Sequence, residues 1–457
     1  MTKLQTFGLP VVSAEPKILR LTTIRALRRA YVIFFLLFLV GGTTALAQTL
    51  TSLLSFDGSN GAFPQGTLIE GAPGKLYGVA PYGGEHGSGN VFEISPSGTL
   101  STLYSFCSRP HCADGALPYG ALVNGSNGNF YGVTSMGGTA SNRGTVFEIT
   151  SKGELTTLYR FCSQPNCTDG ATPYAALARG TNGNFYGTTN SGGTYNSGTI
   201  FEISPQGKLT TLYSFCSETN CADGKAPLLN SLVQGKDGNF YGTAPTGGAY
   251  GSGTVFEISP RGELTTLYSF CSQPSCADGA TPYAGLVQGS NGNFYGTTYS
   301  GGVSNFGTIF EITPMGKLIG QHSFEGTDGA GPYAGLVQAD NGKFYGTAYA
   351  DGAEGYGGTV FEFTPEGKLT TLYSFCAQSN CMDGLGPVAG LTQAKAGNLY
   401  GTTFAGGLYG TSECGSYGSY GCGTLYKFAL EPPVGKTPVE RMTADSEPWE
   451  SEPSTAP

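Results

Sequence analysis

Short runs of alternating apolar and polar residues, separated by breaks rich in glycine, asparagine and proline, fill most of this chain. In the segment Pro282–Phe324 the runs are PYAGLVQ, NFYGTTY, GTIFEIT and LIGQHSF, and the breaks are GSNG, SGGVSNF and PMGK. Alternation of this kind is typical of β-strands, and no run has the spacing of an amphipathic helix. The pattern therefore predicts a unit of four short β-strands.

This unit occurs seven times along the chain. The Tyr-Gly dipeptide in its second run recurs at intervals of 50 to 55 residues. Such a period is typical of repeat architectures, in which each unit buries its apolar face by packing on its neighbours. The seven dipeptides begin at Tyr77, Tyr131, Tyr186, Tyr241, Tyr295, Tyr345 and Tyr400.

Two of the breaks have the composition of tight turns. The first contains Asn-Gly or Asp-Gly, as at Asn182-Gly183, which predicts a two-residue type I′ turn with positive φ at both positions. The third has proline second and glycine fourth, as at Ser204–Gly207, which favours a type I turn. Seven such units predict an all-β fold, a seven-bladed β-propeller with four-stranded antiparallel blades.

The two ends of the repeat region complement each other. A fourth-strand sequence, TLTSLLSF, occurs at Thr49–Phe56 before any first strand, whereas the last unit ends with its third strand at Gly423–Phe428. The N-terminal strand is therefore predicted to complete the last blade and close the ring. A linear solenoid is disfavoured, because neither end carries a polar capping unit.

The segments that flank the repeats differ from them in composition. Residues 1–47 contain a basic stretch, an apolar stretch and a final Ala-Leu-Ala, which together predict a secretory signal peptide; an uncleaved N-terminal anchor is the alternative. Residues 431–457 are acidic and proline-rich, which predicts a disordered tail. The propeller is thus expected to span residues 48–430 of an exported protein, either secreted or at the cell surface or in the periplasm.

The net charge of the chain narrows the range of partners that the protein is expected to bind. The formal net charge is −9, and it becomes −14 without residues 1–47, which contain six Lys and Arg residues and one Glu. An acidic protein of this kind is not expected to bind nucleic acid. The apolar stretch near the N-terminus is too short for a comfortable membrane span, so no span is expected in the mature chain.

Twelve cysteines in an exported protein predict disulfides rather than metal sites. Ten of them form five C-x4-C pairs, each between the fourth strand of one unit and the first strand of the next. The two units without cysteines there lack both members, which indicates bonding within each pair. Cys414 and Cys422 flank a long loop and are expected to bond to each other. The five pairs are Cys107/Cys112, Cys162/Cys167, Cys216/Cys221, Cys271/Cys276 and Cys376/Cys381.

Strand order predicts two different faces of the ring. In a meander the first and third turns lie on one face, and the second-to-third loops share the other with the blade-to-blade connections. That second face carries the cysteine-paired loops, the Gly-Gly loops such as Ser300–Gly302, and the long loop at Gly406–Gly423. Because variable loops on a rigid scaffold often carry binding sites, this loop face is the predicted functional surface.

The repeat resembles a known family. The run GNFYGTTxxGG, followed by GT[VI]FEI[ST]PxGxLTTLYSF, is present with local changes at Gly183–Phe215 and Gly292–Phe324. It is similar to the GloVer (Gloeo/Verruco) tandem repeat of exported bacterial proteins, and the resemblance covers Thr49 to Phe428. It implies export and a variable choice of C-terminal surface anchor, without a general activity. This chain shows no recognisable C-terminal anchor.

Recurring acidic residues are the first candidates for a site. An Asp before glycine enters six first strands, where a ring of carboxylates near the channel mouth would bind a hard cation such as Ca²⁺; the alternative is that each Asp caps its own turn. A Glu recurs in six third strands, and because catalytic pairs are usually singular, a scaffold role is favoured. The aspartates are Asp114, Asp169, Asp223, Asp278, Asp328 and Asp383, and the glutamates are Glu93, Glu148, Glu202, Glu257, Glu311 and Glu362.

Recurring tyrosines are the second candidates. A tyrosine follows proline at the start of four first strands, which are expected to line the central channel. Aromatic rings there would stack on sugar rings or peptide groups, and packing between blades is the alternative. These candidate ligand-binding residues are Tyr119, Tyr174, Tyr283 and Tyr333.

No catalytic constellation is recognisable in the sequence. The three histidines occupy non-equivalent positions of the repeat, and neither H-E-x-x-H nor G-x-S-x-G occurs. The sequence therefore favours a monomeric, non-enzymatic, exported binding protein without an obligatory cofactor, whose partner is an extracellular glycan or an envelope protein. The alternatives are an extracellular polysaccharide hydrolase or lyase, and a structural component of the cell envelope.

Overall fold

The fold confirms the predicted all-β propeller. Seven four-stranded antiparallel sheets form the blades of a ring, numbered 1 to 7 in the order of their first strands. None of the described residues belongs to a helix long and apolar enough to cross a membrane. The predicted signal peptide at 1–47 and the predicted tail at 431–457 lie outside the described residues. The computed structural model describes residues 49–71, 74–138, 141–229, 231–353, 355–409, 414 and 420–430.

The first strand of each blade has only two residues, fewer than the run PYAGLVQ predicted. The proline in that run has no N–H for a strand ladder. The segment after it bonds a neighbouring blade instead, since the hydroxyl of Thr243 donates to the carbonyl oxygen of Ala284 at 2.8 Å. The first strands are β2 (Ile69–Glu70), β6 (Val123–Asn124), β10 (Ala178–Arg179), β14 (Val233–Gln234), β18 (Val287–Gln288), β22 (Val337–Gln338) and β26 (Thr392–Gln393).

The second and third strands supply most of the buried residues, and their β-branched and aromatic side chains suit a sheet that is covered on both faces. The second strands are β3 (Leu76–Ala80), β7 (Phe130–Thr134), β11 (Phe185–Thr189), β15 (Phe240–Ala244), β19 (Phe294–Thr298), β23 (Phe344–Ala348) and β27 (Leu399–Thr402). The third strands are β4 (Asn90–Ile94), β8 (Thr145–Ile149), β12 (Thr199–Ile203), β16 (Thr254–Ile258), β20 (Thr308–Ile312), β24 (Thr359–Phe363) and β28 (Thr424–Phe428).

The N-terminal strand closes the ring, as predicted. It pairs antiparallel with the third strand of blade 7, so that Leu50 lies opposite Phe428 and Ser55 opposite Thr424. It therefore occupies the place of the fourth strand in blade 7. The fourth strands are β1 (Leu50–Ser55), β5 (Leu100–Ser105), β9 (Leu155–Arg160), β13 (Leu209–Ser214), β17 (Leu264–Ser269), β21 (Leu318–Ser323) and β25 (Leu369–Ser374).

The hydrophobic core lies between neighbouring blades. Between blades 3 and 4, Tyr186 packs on Phe240 with ring centroids 4.0 Å apart, and Phe215 meets Phe256 edge-on at 5.4 Å. All four side chains are at most 1% exposed, and burial of an aromatic ring of this size contributes about 2–3 kcal/mol. Each blade buries half of its apolar residues on either side, which explains why the runs recur in every unit.

The turn between the first and second strands differs from the predicted type I′ turn. In blade 3 the N–H of Gly183 donates to the carbonyl of Gly180 at 3.0 Å, and Gly183 has a φ of 84°. Asn182 has a negative φ, and its side-chain oxygen accepts the N–H of Asn184 at 3.1 Å. A type I-like turn ending in a left-handed glycine therefore joins the strands.

The turn between the third and fourth strands is as predicted. The N–H of Gly207 donates to the carbonyl oxygen of Ser204 at 2.9 Å, which closes the four-residue turn around the proline.

The loop face is held by short-range bonds, including all six predicted disulfides. The carbonyl oxygen of Cys112 accepts the N–H of Gly138 at 2.8 Å, which fastens a cysteine-paired loop to the Gly-Gly loop of the same blade. In blade 1, which has no cysteine at this position, Gly58 accepts the N–H of Gly84 in the same way at 2.9 Å. Five cysteine-paired loops contain a 3-10 turn: Pro110–Cys112, Pro165–Cys167, Thr219–Cys221, Pro274–Cys276 and Ser379–Cys381. The disulfides are Cys107–Cys112, Cys162–Cys167, Cys216–Cys221, Cys271–Cys276, Cys376–Cys381 and Cys414–Cys422.

Reduction of the disulfides is expected to loosen the loop face without opening the ring. Each short cross-link stabilises its loop by roughly 2 kcal/mol, whereas the blades are joined by strand ladders and aromatic packing. Hydrogen exchange with and without reductant should show faster exchange in the five cysteine-paired loops. The shorter loops at Asp57–Pro64 and Glu325–Pro332 are internal controls that should not change. Faster exchange throughout the second and third strands would contradict this prediction.

Candidate functional site

The central channel opens on the loop face through the segments that precede the first strands. Its cavity of about 180 Å³ is lined by these segments from all seven blades, including Tyr119, Tyr174 and Tyr333. Tyr283 stacks face to face on Tyr333, with ring centroids 4.9 Å apart and planes 12° from parallel. All four tyrosines singled out from the sequence therefore lie at the channel mouth.

A left-handed residue before each proline fixes the position of these segments. Thr281 has a φ of 57°, a strained conformation for a β-branched residue. Its N–H donates to Ser252 in the neighbouring blade at 2.8 Å, and its carbonyl accepts the N–H of Tyr299 at 3.0 Å. These two hydrogen bonds stabilise the strained backbone of Thr281, which gives Tyr283 a rigid support. The equivalent left-handed residues are Phe63, Leu117, Thr172, Ala226, Thr281, Gly331 and Gly386.

The first aromatic arc at the mouth consists of Tyr82, Tyr119 and Tyr174. The hydroxyl groups of Tyr82 and Tyr119 hydrogen-bond each other at 2.7 Å, and the rings of Tyr119 and Tyr174 lie 5.2 Å apart. Tyr82 also meets the ring of Phe63 at 5.9 Å. The rings from blades 1, 2 and 3 thus form one continuous aromatic surface.

The second aromatic arc consists of Tyr283, Tyr299, Tyr333 and Tyr349. Tyr299 meets Tyr283 edge-on at 5.5 Å and Tyr333 edge-on at 5.3 Å. Tyr349 continues the arc, 6.1 Å from Tyr333. Blades 5 and 6 thus supply a second aromatic surface.

The chemistry of the mouth is that of neutral phenols. Burial raises the pKa of Tyr333 to about 12, with a further contribution from neighbouring phenols, and burial also raises the pKa of Tyr174. Both side chains stay protonated at neutral pH, so each can donate and accept a hydrogen bond. Among the described residues that line the channel there is no Asp, Glu, His, Lys or Arg. The mouth can therefore stack on a flat apolar face and hydrogen-bond hydroxyl groups, but its lining offers no acid–base pair.

The recurring aspartates lie on the blade-to-blade connections, against the fourth strands and away from the channel-lining segments. Asp278 is 0% exposed and accepts hydrogen bonds from the Tyr268 hydroxyl at 2.8 Å and from the N–H groups of Ser272 and Gln273 at 2.9 and 3.1 Å. Within the described part of the chain, no cluster of three His, Cys, Asp or Glu side chains is placed to hold a metal ion. The observed bonds are those of a turn-capping residue, and Ca²⁺ binding stays a prediction.

The two connections without disulfides vary this Tyr–Asp pair. On the connection from blade 5 to blade 6, His322 of the fourth strand of blade 5 replaces the tyrosine, and its Nε2 lies 2.9 Å from Asp328. Burial raises the pKa of Asp328, but the hydrogen bond from His322 and other contacts outweigh burial and leave that pKa below its usual value. On the connection from blade 7 to blade 1, Leu54 of β1 stands at the tyrosine position. Asn60, whose oxygen accepts the Asp57 N–H at 3.0 Å, stands at the Asp position. The tyrosine is thus replaced in both connections, whereas the aspartate is kept as Asp328 in one and replaced by Asn60 in the other.

The recurring glutamates brace the tight turns between the first and second strands. Glu148 pairs across the sheet with Tyr131, whose hydroxyl donates to it at 2.9 Å, and it accepts from the amide groups of Asn129 and Asn127 at 2.7 and 2.8 Å. Burial raises its pKa, but these hydrogen bonds outweigh burial and lower the pKa overall. A scaffold role accounts for this residue, for which the sequence alone provided no reason.

Several aromatic residues of the loop face were missed in the sequence, because they recur only in part. Tyr82 occupies a position that holds Met136 in blade 2 and small or polar residues in the other units. Tyr299 and Tyr349 share a position that holds Phe404 in blade 7 and small or polar residues in the other units. Further tyrosines are exposed on the Gly-Gly loops, among them Tyr250 at 57% and Tyr356 at 86%. A search for aromatic residues inside glycine-rich loops, rather than for repeated positions, would have found them.

Comparison with known proteins identifies the repeat. A family model described as the Gloeobacter/Verrucomicrobia repeat matches residues 40–178 and 176–414, which is most of the chain. A comparison with curated proteins finds no match.

Solved structures show the same fold. The extracellular domain of a protein described as a hybrid two-component system from B. thetaiotaomicron is 10% identical, with a TM-score of 0.52 over 83% of this chain and 39% of that chain. A second such domain from B. thetaiotaomicron is 14% identical, with a TM-score of 0.49 over 83% and 41%. A protein described as a 6-phosphogluconolactonase from Bacteroides uniformis is 19% identical, with a TM-score of 0.44 over 74% and 87%.

These likenesses concern the propeller fold alone. The chain spans about two fifths of the length of each of these two extracellular-domain chains. At 10% identity the first likeness shows a common fold, and the other two, with lower TM-scores, add nothing to it.

Proposed function

This chain belongs to the Gloeobacter/Verrucomicrobia repeat family, and we propose that it is an exported binding protein rather than an enzyme. The proposed ligand is a neutral extracellular glycan, bound at the channel mouth on the loop face. Export is supported by six disulfides, which form in oxidising compartments, and by the signal-like residues 1–47.

The observation that carries this proposal is the set of partly exposed tyrosines at equivalent positions around one opening. The apolar faces of sugar rings stack on aromatic side chains, and sugar hydroxyls need donors and acceptors at the rim of those rings. Tyrosine supplies both, and rigid aromatic groups lose little conformational entropy on binding. The strained supports at Thr172 and Thr281 hold Tyr174 and Tyr283 in place before a ligand arrives.

Charge favours a neutral ligand. The formal net charge of −9 disfavours polyanions at long range. No described residue of the channel lining carries a cation that would pair with a sulfate or uronate group, or an anion that would pair with an amine. Recognition at the mouth would therefore rest on stacking and on hydrogen bonds between uncharged groups.

Replacing Tyr119, Tyr174, Tyr283 and Tyr333 together by alanine is expected to weaken glycan binding by about 100-fold or more. Each lost aromatic contact costs about 0.5–1.5 kcal/mol, so the four together cost about 2–6 kcal/mol, and the middle of that range exceeds the roughly 2.7 kcal/mol that corresponds to about 100-fold. The measurement is a screen of the purified full chain against neutral glycans, followed by calorimetry on the glycans that bind.

Two controls make that experiment decisive. The matched control is Met315→Ala, which removes a side chain 94% exposed on the turn face and should leave binding unchanged. The four Tyr→Phe replacements separate stacking, which they retain, from hydrogen bonding, which they remove. Release of shortened sugar products would identify a hydrolase or lyase and overturn the binding proposal. Absence of saturable binding to any glycan would favour a structural role in the envelope.

A further inference from the structure

The seven equivalent positions after the recurring proline are not all aromatic. Blades 2, 3, 5 and 6 carry tyrosine, whereas blades 1, 4 and 7 carry a residue without an aromatic ring. All seven side chains are partly exposed at the mouth, so the difference changes the shape of the opening. In order of blades the residues are Gln65, Tyr119, Tyr174, Leu228, Tyr283, Tyr333 and Val388.

The positions without tyrosine lie on opposite sides of the ring. In a ring of seven blades, the point opposite blade 4 is the boundary between blades 7 and 1. Leu228 marks the first side, and Val388 and Gln65 mark the second. The two tyrosine pairs lie between these openings, one pair on each side of the axis.

The aromatic contacts divide in the same way. Tyr119 and Tyr174 belong to the first arc, and Tyr283 and Tyr333 belong to the second. Among the described residues, no ring contact joins the two arcs across blade 4, where Leu229 pairs instead with Ala284 of the next blade. At the opposite side Phe63, which is 1% exposed, meets Tyr82 at 5.9 Å and the partly exposed Phe404 of blade 7 at 5.0 Å, so ring contacts continue into blade 7 through a buried ring. At the positions after the recurring proline, the mouth thus has two tyrosine walls separated by two stretches without an aromatic ring.

We propose that this mouth is a groove that runs across the propeller axis, from blade 4 to the boundary of blades 7 and 1, and binds an unbranched neutral polysaccharide along its length. This inference rests on the proposed glycan-binding function. A closed ring of seven tyrosines would form a cup that accepts a chain end or a compact sugar. A groove with open ends lets a linear chain pass through, with sugar rings between Tyr119 and Tyr174 on one side and Tyr283 and Tyr333 on the other.

The direct test closes the groove at both ends. The variant is the full chain with Leu228→Tyr and Val388→Tyr. These two positions are equivalent to the ones at which blades 2, 3, 5 and 6 already carry tyrosine, so the variant should fold with an unchanged melting temperature. The probes are cellohexaose, laminarihexaose and maltohexaose, the trisaccharide of whichever series binds, and a branched xyloglucan oligosaccharide. The chain should bind a linear hexaose more tightly than its trisaccharide and than the branched sugar.

Closing both ends should lower the affinity for the linear hexaose by about tenfold or more, which is equivalent to the loss of one or two aromatic contacts. The affinity for the trisaccharide should change by less than about twofold. Met315→Tyr, which adds an exposed tyrosine on the opposite face, is the matched control and should change neither affinity. If the double variant does not fold, Leu228→Tyr with Gln65→Tyr closes the same two ends.

The outcomes separate this inference from the proposed function. Unchanged hexaose binding in a folded double variant, or equal binding of branched and linear sugars by the wild type, would overturn the groove and leave glycan binding intact. Failure of the wild type to bind any neutral glycan, including the trisaccharides, would overturn both. Loss of hexaose affinity with retained trisaccharide affinity would support the groove.

Discussion

Deleting Thr49–Phe56 is expected to make the protein aggregate. The deletion removes β1 and leaves the backbone groups along one edge of Thr424–Phe428 without partners, and such an edge pairs readily with other chains. It also removes Phe56, which is 0% exposed and packs edge-on against Phe92 at 5.4 Å. Loss of one buried phenylalanine side chain alone costs about 3–5 kcal/mol. Size-exclusion chromatography with light scattering measures the outcome.

A relocated strand is the matched control for this deletion. The sequence of Thr49–Phe56, moved behind Leu430 through a short glycine linker, should again pair with Thr424–Phe428 and restore the dispersed protein. Phe215→Ala separates packing from closure, because it removes an equivalent buried ring within blade 3 and leaves the ring of blades closed. A deletion variant that remains dispersed and melts at the wild-type temperature would show that β1 does not close the ring.

The architecture was predictable because its determinants are local and repeated. Strand periodicity, the proline turn at Ser204–Gly207 and the orphan strand at Thr49–Phe56 all lie within short stretches of sequence, and each was confirmed. The length of the first strand was not predictable, because it depends on a bond between Thr243 and Ala284 in adjacent blades. The turn type predicted at Asn182 was wrong for a related reason. The side chain of Asn182 accepts the N–H of Asn184 and stabilises a different turn from the type I′ turn that an Asn-Gly sequence favours.

The site was predictable only where it follows the repeat. Tyr174 and Tyr283 were singled out because tyrosine recurs after proline, whereas Tyr82 and Tyr299 were not, because most blades have no tyrosine at their positions. The role of Glu148 required the strand register, which places it opposite Tyr131. Residues that recur in every blade thus indicate the scaffold, whereas residues that differ between blades determine the shape of the channel mouth.

Replacing Asp278 by alanine is expected to lower the free energy of unfolding by about 3 kcal/mol, since several partly buried donors lose a charged acceptor and each such loss costs about 1–3 kcal/mol before the donors relax. The carboxylate is 0% exposed and joins the blade-to-blade connection to the Tyr268 hydroxyl at 2.8 Å and the Ser272 N–H at 2.9 Å. Without it, the Tyr268 hydroxyl and the Ser272 N–H lose their charged acceptor. Urea unfolding at pH 7 measures the change.

The pH dependence of stability tests whether the charged carboxylate is the cause. Burial raises the pKa of Asp278, but its hydrogen bonds outweigh burial, so the pKa in the folded protein lies below the usual value of about 3.9. Its contribution to stability is therefore fully present above the unfolded-state pKa and is lost as the pH falls through the folded-state pKa. The wild type should lose stability below about pH 4, and Asp278→Ala should lose less. Asp278→Asn, which imitates Asn60 of blade 1, keeps an acceptor oxygen and should fall between them at pH 7. Identical pH profiles for the wild type and Asp278→Ala would show that the carboxylate does not hold the connection through its charge.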